Sequence, residues 1–391
     1  MSASGPYSPP ESLNGVRRRA LVVGVLGLIA CAVGAILTPT QFYRSYLVGM
    51  ILWTGVACGC LVLTALQHMT RGAWGVMIRR ILEAGARTFP LLLVLFVPVF
   101  FGLHELYNWA NPEVVAQSEL LRHQAPYLNA PFFIARTVFY FTLWTGMGYL
   151  LTRLSWKQDE TGDPIIARRL QIVSGPSIVL YGVTASFASI DWLMSLNEKW
   201  YSSIYGVYFV GSQALAALSF TIIVVLYLGS RAPMEGVYKP RHLHDYGKLL
   251  LAFTMLWAYF SISQFLIIWS GNLPEEITWY KSRMQGGWKG LSLVIVLFHF
   301  VLPFVLLLSA SLKKDARKLA AVAALLLVMR WVDFFWQAAP AFNPGHMTLH
   351  WLDLATPIGI GGIWIWFFVG QLQRRTLLPV QDPFLSEALH G

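Results

Sequence analysis

Ionisable side chains lie inside or at the ends of several long apolar runs, and Arg136, Asp191, His299, Arg330 and Asp333 stand out among them. A charge at the centre of a bilayer costs ~2.5–3.5 kcal/mol even on lenient insertion scales, so each position is a candidate for function. Arg330 and Asp333 are three residues apart, the separation at which side chains of one helix meet, so an internal ion pair is the alternative there. His299 either relays a proton or is a hydrogen-bonded core residue. Proton transfer is the chemistry that these residue types offer.

A polar stripe leads to Asp191. Ser174, Ser177, Tyr181, Thr184 and Asp191 are separated by three, four, three and seven residues, which places them on one helical face. Hydroxyl groups that end at a carboxylate predict a proton pathway. The alternative is that the Ser and Thr hydroxyls bond to their own helix or let neighbouring helices pack closely. Asp191 is alternatively an interfacial cap for the next element.

The sequence offers few ligands for a redox centre. Cys31, Cys58 and Cys60 all lie in apolar stretches, and no CxxCH motif for c-type haem is present. Iron–sulfur clusters need four Cys, or two Cys with two His. His299 is the only histidine deep in an apolar run, whereas haem b between helices commonly takes two. We therefore predict that this chain binds no cofactor or metal and that partner proteins carry the electrons.

The composition is that of a membrane protein. Hydrophobic residues make up 56% of the 391 residues and charged residues only 12%, against roughly 25% charged in soluble domains. Sixteen Trp, sixteen Tyr and twenty-four Phe fit the aromatic belts at the membrane surface. The net charge of +10 comes from basic residues that punctuate the apolar runs. Nucleic-acid binding needs them clustered on one soluble face, so it is excluded.

Ten segments approach the roughly twenty apolar residues that a transmembrane helix needs. The third is interrupted by Pro90 and Pro98, and the tenth is short. We predict an all-α integral membrane protein with about ten transmembrane helices. The predicted spans are Ala20 to Leu37, Tyr46 to Leu66, Phe89 to Leu106, Phe132 to Leu151, Ile172 to Leu193, Ile204 to Leu228, Leu249 to Trp269, Leu291 to Leu312, Leu319 to Trp336 and Leu354 to Phe368.

The basic residues also predict the orientation. Of the 29 Lys and Arg residues, 20 fall on one side of a ten-span arrangement and only 5 on the other. Short cytoplasmic loops carry such an excess, so both termini are predicted to be cytoplasmic. The predicted organisation is a disordered cytoplasmic tail over 1–19, a transmembrane domain over 20–371 and a cytoplasmic tail over 372–391.

Some stretches are more specific than composition. They are DWLMSL at Asp191–Leu196, WYSSIYG at Trp200–Gly206, HDYGKLL at His244–Leu250, FTMLWAY at Phe253–Tyr259, SQF at Ser263–Phe265 and IWSGNLPEE at Ile268–Glu276. Together they resemble the ActF family, the smaller of two related membrane subunits of alternative complex III, within the polysulfide-reductase membrane-subunit (NrfD-like) superfamily. The close resemblance covers roughly residues 174 to 312.

The resemblance implies two four-helix bundles with flanking helices in the bacterial inner membrane. It also implies partners: a larger homologous membrane subunit, a periplasmic iron–sulfur subunit and multihaem cytochrome c subunits. Such a complex oxidises quinol and passes electrons to a cytochrome c or directly to a terminal oxidase, with haem c and iron–sulfur clusters held by the partners.

Within the matched stretch, Asp191 is supported as the acid of the fifth span. The family's quinol pocket is credited to the larger sibling, where an intramembrane His pairs with a carboxylate, whereas the fourth span here has Arg136 and no histidine. We expect this chain to contribute a proton pathway and a scaffold. The alternatives are a stand-alone secondary transporter, which would look similar in sequence, and a purely structural membrane anchor.

Overall fold

All regular structure in residues 6–390, the part of the chain that the computed structural model describes, is helical, with no strand among these residues. Eleven main helices carry the fold. They are α1 (Ser12–Leu37), α2 (Pro39–Thr70), α3 (Ala73–Ala86), α4 (Phe89–Phe101), α5 (Ala130–Thr161), α6 (Pro164–Trp192), α7 (Tyr205–Gly229), α8 (Pro240–Gly271), α9 (Gly286–Leu308), α10 (Ala316–Phe342) and α11 (Trp351–Leu372). Short helices form at Leu103–Leu106, Asn108–Ala110, Pro112–Gln117, Glu119–Gln124, Met194–Leu196, Pro274–Arg283, Ala310–Lys314 and Leu385–His390.

Local sequence signals set several helix ends. Proline lies in the first turn of α2, α4, α5, α6 and α8, where its missing N–H costs nothing. The Asn129 side chain caps α5 by accepting from the Phe132 N–H at 3.0 Å. At the other end of α5, Gly162 takes a left-handed conformation with φ of 63°, and Asp163 caps α6 immediately afterwards. The connection is so short that α5 and α6 must run antiparallel.

The helices are long and apolar enough for a multi-pass membrane protein. In the described chain, eight of them (α1, α2 and α6 to α11) meet this criterion, and the α3–α4 pair, bent by 40°, would be a ninth span. The span predicted at Phe132 to Leu151 lies in α5, which has 32 residues but is not among the eight because it carries Arg136 and other polar groups. The predicted all-α membrane architecture is confirmed.

The spans form two rings of four helices. In the first bundle, α2, α4, α5 and α6 pack in succession, and α6 closes the ring against α2. In the second bundle, α7, α8, α9 and α10 do the same, and α10 closes against α7. The bundles meet where α2 and α6 pack on α7, while α1 and α11 pair beside α2 as flanking helices. The chain thus forms two bundles, and in each of them four spans pack against one another in the order in which they follow in the sequence.

Because successive spans run in opposite directions, the connections between them lie on two faces of the protein. We call the face with the excess of Lys and Arg the basic face; it carries both ends of the described chain, joined where the Leu377 N–H donates to the Tyr7 carbonyl at 2.8 Å. The opposite face carries the connections 102–129, 193–204, 272–285 and 343–350.

The N-terminal segment differs from the sequence expectation. Helix α1 begins at Ser12, so residues 12–19 of the tail predicted to be disordered over 1–19 are helical, while residues 1–5 lie outside the described part. The segment after 372 packs against α3, where Asp382 forms a 2.6 Å salt bridge with Arg79. This long-range pair orders the segment, and composition gives no sign of it.

Glycines set the close approach of α1 to α11. A Cβ atom added at Gly27 would lie 2.4 Å from the Gly359 Cα, and one added at Gly362 would lie 2.5 Å from the Gly24 Cα. Small residues let helix backbones touch in a membrane, where dispersion contacts replace the hydrophobic effect between helices. The pair therefore depends on residues without side chains.

We expect Gly27→Leu to lower stability by about 1–3 kcal/mol, because the added side chain must displace backbone atoms of α11. The measurement is thermal unfolding of the purified chain in detergent. Gly146→Leu is the matched control, since a Cβ at Gly146 in α5 would meet nothing within 4 Å. Equal melting temperatures for the two variants would contradict the proposed close packing.

Candidate functional site

The first polar cluster lies at the opposite-face end of the first bundle. Asp191, in the last turn of α6, is fully buried. Arg136 of α5 donates two hydrogen bonds to its carboxylate, from Nη2 to Oδ1 at 2.8 Å and from Nε to Oδ2 at 3.0 Å. The Tyr140 hydroxyl donates to the same carboxylate at 2.8 Å. Such bidentate, charge-assisted bonds are the strong class of hydrogen bond. The sequence named both charges but did not pair them.

Tyr127 connects this cluster to a cavity on the opposite face. Its ring lies 3.9 Å from the Arg136 guanidinium carbon, and its carbonyl accepts from Arg136 Nη1 at 2.9 Å. Tyr127 also lines a cavity of about 220 Å³ together with Ser195, Glu198 and Trp200. Burial, aided by the Asp191 charge, raises the pKa of Tyr127 to about 12, so its phenol is neutral at pH 7. A neutral hydroxyl-bearing ring thus contacts both the ion pair and the cavity.

The polar stripe on α6 faces the interior of the protein, where Ser174, Ser177, Tyr181 and Thr184 are all buried. The Ser174, Ser177 and Thr184 hydroxyls donate to carbonyls of their own helix at 2.7, 2.8 and 2.7 Å. This is the back-bonding alternative that the sequence left open. Two members also reach across helices: Thr184 accepts from Trp144 Nε1 at 2.9 Å, and Tyr181 donates to Gln213 of α7.

The second polar cluster lies inside the second bundle and contains the predicted ion pair. Arg330 Nη1 donates to Asp333 Oδ2 at 2.7 Å, with both side chains fully buried. The Tyr208 hydroxyl of α7 lies 3.0 Å from each Asp333 oxygen, and Gln337 Nε2 donates to Oδ2 at 2.8 Å. Arg330 keeps Nε and Nη2 buried without a hydrogen-bond partner in the described chain. The guanidinium therefore has spare donors although it is buried.

His299 reaches this cluster through an aromatic neighbour. It lies in the π-helical segment Ile295–Val301 of α9, where Pro303 cannot donate the usual N–H to the His299 carbonyl, so the turn widens. Its ring packs edge-on against Trp257, with centroids 4.0 Å apart, and Trp257 packs on Tyr208. Neither ring nitrogen has a hydrogen-bond partner in the described chain. His299 is thus buried but not satisfied, unlike an ordinary core histidine.

Sequence reasoning missed Arg283, which it counted as a loop cation. Arg283 is fully buried and donates to the carbonyls of Trp279 at 2.8 Å, Trp336 at 3.2 Å and Gln337. Burial lowers its pKa to about 9, which still leaves it charged at pH 7. Trp279, one helical turn earlier and stacked on the guanidinium, was the available signal.

Arg79 and Arg80 of α3, and Arg87 immediately after it, were also counted as loop cations, yet all three are buried. Arg80 pairs with Glu83 and with Asp159 of α5. These ion pairs join α3 to α5 and to the C-terminal segment on the basic face. They stabilise the structure and share no residue with the two clusters above.

The structure thus joins Arg136 to Asp191, and Arg330 to Asp333 with His299 nearby, in different bundles. Helix α7 separates them, with Tyr208 facing the second cluster and Gln213 facing the stripe on α6. No three His, Cys, Asp or Glu side chains of the described residues are placed to hold a metal ion. No family model matches the chain, and comparison with curated proteins finds no match either.

We expect Arg136→Leu to destabilise the protein by about 3–5 kcal/mol, because it leaves the Asp191 carboxylate buried without its cation. The double variant Arg136→Leu/Asp191→Leu should recover much of that loss. Thermal unfolding in detergent measures both. Arg153→Leu, an exposed arginine on the same helix, is the control and should change little. A double variant no more stable than Arg136→Leu would argue against a paired charge.

Proposed function

We propose that this chain is an integral membrane subunit of a respiratory quinol:cytochrome c or quinol:oxidase oxidoreductase of the alternative complex III type. It contributes a proton pathway and a scaffold, and partner subunits hold the haem c and iron–sulfur clusters. The partners are the larger homologous membrane subunit, the periplasmic iron–sulfur subunit and the multihaem cytochromes c. The chain lies in the bacterial inner membrane with both termini in the cytoplasm.

The observation that carries the proposal is the position of Asp191. This buried carboxylate lies at the opposite face, beneath Tyr127 and the 220 Å³ cavity that Tyr127 lines. Because the positive-inside rule makes the basic face cytoplasmic, Asp191 lies on the outer side. A carboxylate there can release protons to the outer compartment, and Asp191 also lies within the stretch that resembles the ActF family.

A scaffold role is supported by apolar side chains on the opposite face. Tyr201 and Leu349 are each 66% exposed on connections of that face. Both side chains are accessible to a protein partner at that face. The periplasmic subunits of the proposed complex would lie there.

When the tagged chain is purified in a mild detergent, multihaem cytochrome c and an iron–sulfur protein should co-purify with it. A reduced-minus-oxidised spectrum detects the haem, and mass spectrometry identifies the companions. A stable, colourless chain that purifies alone would contradict the assembly.

Asp191→Asn in the assembled complex should lower the number of protons released per electron, because an amide cannot carry the proton. The measurement is acidification outside proteoliposomes during quinol turnover, after co-purification has shown that the complex assembles. Asp245→Asn, a half-exposed carboxylate on the basic face, is the matched control. Unchanged proton release would leave Asp191 with a purely structural role.

One feature favours the transporter alternative. Helix α9 is interrupted by its π segment beside a cavity in the second bundle, and broken helices beside a central site are typical of secondary transporters. Purification without haem, with uptake of a solute into proteoliposomes, would select this function instead.

A further inference from the structure

A second cavity, of about 270 Å³, lies within the second bundle. Helices α8, α9 and α10 form its walls, and residues of the short helix Pro274–Arg283 cover it on the side of the opposite face. The cavity exists because α8 packs mainly on residues 295–308 of α9 and diverges from it toward that face. At roughly 30 Å³ per water molecule, its volume corresponds to about nine waters. That is enough for one substituted aromatic ring.

The cavity opens toward lipid. Ile262 of α8 and Val296 of α9 line it and are 51% and 52% exposed, although both lie in membrane-spanning helices. Their exposed surfaces face hydrocarbon, so a ligand would enter between α8 and α9 from the bilayer. This route selects a membrane-soluble molecule over a solute from water.

The walls suit a flat ring. Trp257, Phe265, Tyr280 and Trp336 line the cavity, and Trp336 is fixed by donating its Nε1 proton to Ser292 at 2.8 Å. Aromatic side chains favour offset-stacked or edge-on contacts with another ring. A lipid acyl chain would gain no such preference.

The cavity also offers polar groups from two different sides. On the α10 side, Asp333 Oδ1 accepts only from Tyr208, which leaves it a free lone pair. On the covering helix, the Tyr280 hydroxyl accepts from Gln264 at 3.3 Å and keeps its own proton to donate, next to the charged Arg283. Burial raises the pKa of Tyr280 to about 12, so this donor is retained at pH 7. An acceptor and a donor therefore flank the space for the ring.

We propose that this cavity binds the ring of a membrane-soluble quinol, with its isoprenoid tail leaving between Ile262 and Val296. One ring hydroxyl donates to Asp333, and the oxygen across the ring accepts from Tyr280 or Arg283. The site belongs to this chain and is separate from the Asp191 cluster. It rests on the proposed function only in taking quinol to be present in the membrane.

Photolabelling tests the proposal. The full-length chain in lipid nanodiscs is illuminated with an azido-benzoquinol or an azido-naphthoquinol, the reduced forms that can donate to Asp333, and the labelled peptides are identified by mass spectrometry. We expect label on α8 and α9 around the cavity. Ile262→Trp fills the mouth and should reduce that label about tenfold, equivalent to ~1.4 kcal/mol. Ile267→Trp, on the same helix at a lipid-facing position that does not line the cavity, should leave it unchanged.

Unlabelled quinol should compete for the site and added phospholipid should not. Val296→Trp fills the cavity from the facing helix and keeps the test valid if Ile262→Trp does not fold. Label spread over all lipid-facing helices, or equal in Ile262→Trp and Ile267→Trp, would overturn the proposal. Cytochromes that co-purify with a chain whose cavity stays unlabelled would leave the proposed function intact. A labelled cavity in a chain that purifies alone would reject the assembly and retain the quinol site.

Discussion

Hydrocarbon offers no hydrogen-bond partner, so every polar group in these spans must find one within the protein or remain unsatisfied at a cost. The backbone meets this constraint by being helical. The side chains meet it by crossing between helices, and the clearest case is Arg136, whose two bonds to Asp191 and contact with Tyr127 tie α5, α6 and the preceding connection together. The geometry of the first bundle depends on this pairing.

The two bundles meet the same constraint differently. In the first, both oxygens of the Asp191 carboxylate accept hydrogen bonds from Arg136, Oδ2 also accepts from Tyr140, and the Ser and Thr hydroxyls of the stripe bond to their own helix. In the second, Arg330 and His299 retain buried nitrogen atoms without partners in the described chain. Unsatisfied buried groups are rare in native proteins and call for an explanation. Both bundles therefore hold a buried ion pair with a cavity nearby, of about 220 Å³ in the first and about 270 Å³ in the second, and they differ in which polar groups contact the pair.

Helix α7 couples these environments. Its Tyr208 binds Asp333, and five residues later its Gln213 accepts from Tyr181 of the α6 stripe. With 3.6 residues per turn, residues five apart point in directions about 140° apart around the helix axis. The two side chains therefore face different bundles. A single rigid helix therefore separates the polar groups of the two bundles while contacting both.

Features that depend on local periodicity follow from the amino-acid sequence without knowledge of the fold. These are the helical membrane architecture, the shared helical face of the α6 stripe and the proximity of Arg330 to Asp333, because residues three or four apart meet on any helix. Which helix faces meet depends on the three-dimensional packing. It paired Arg136 with Asp191 across 55 residues, buried Arg283 and the arginines of α3 that a count of loop charges placed in water, and ordered the C-terminal segment through Arg79 and Asp382. A sequence shows an arginine in the same way whether its side chain faces water or a carboxylate on another helix. Only the packing of the helices distinguishes a solvated arginine from a buried, paired one.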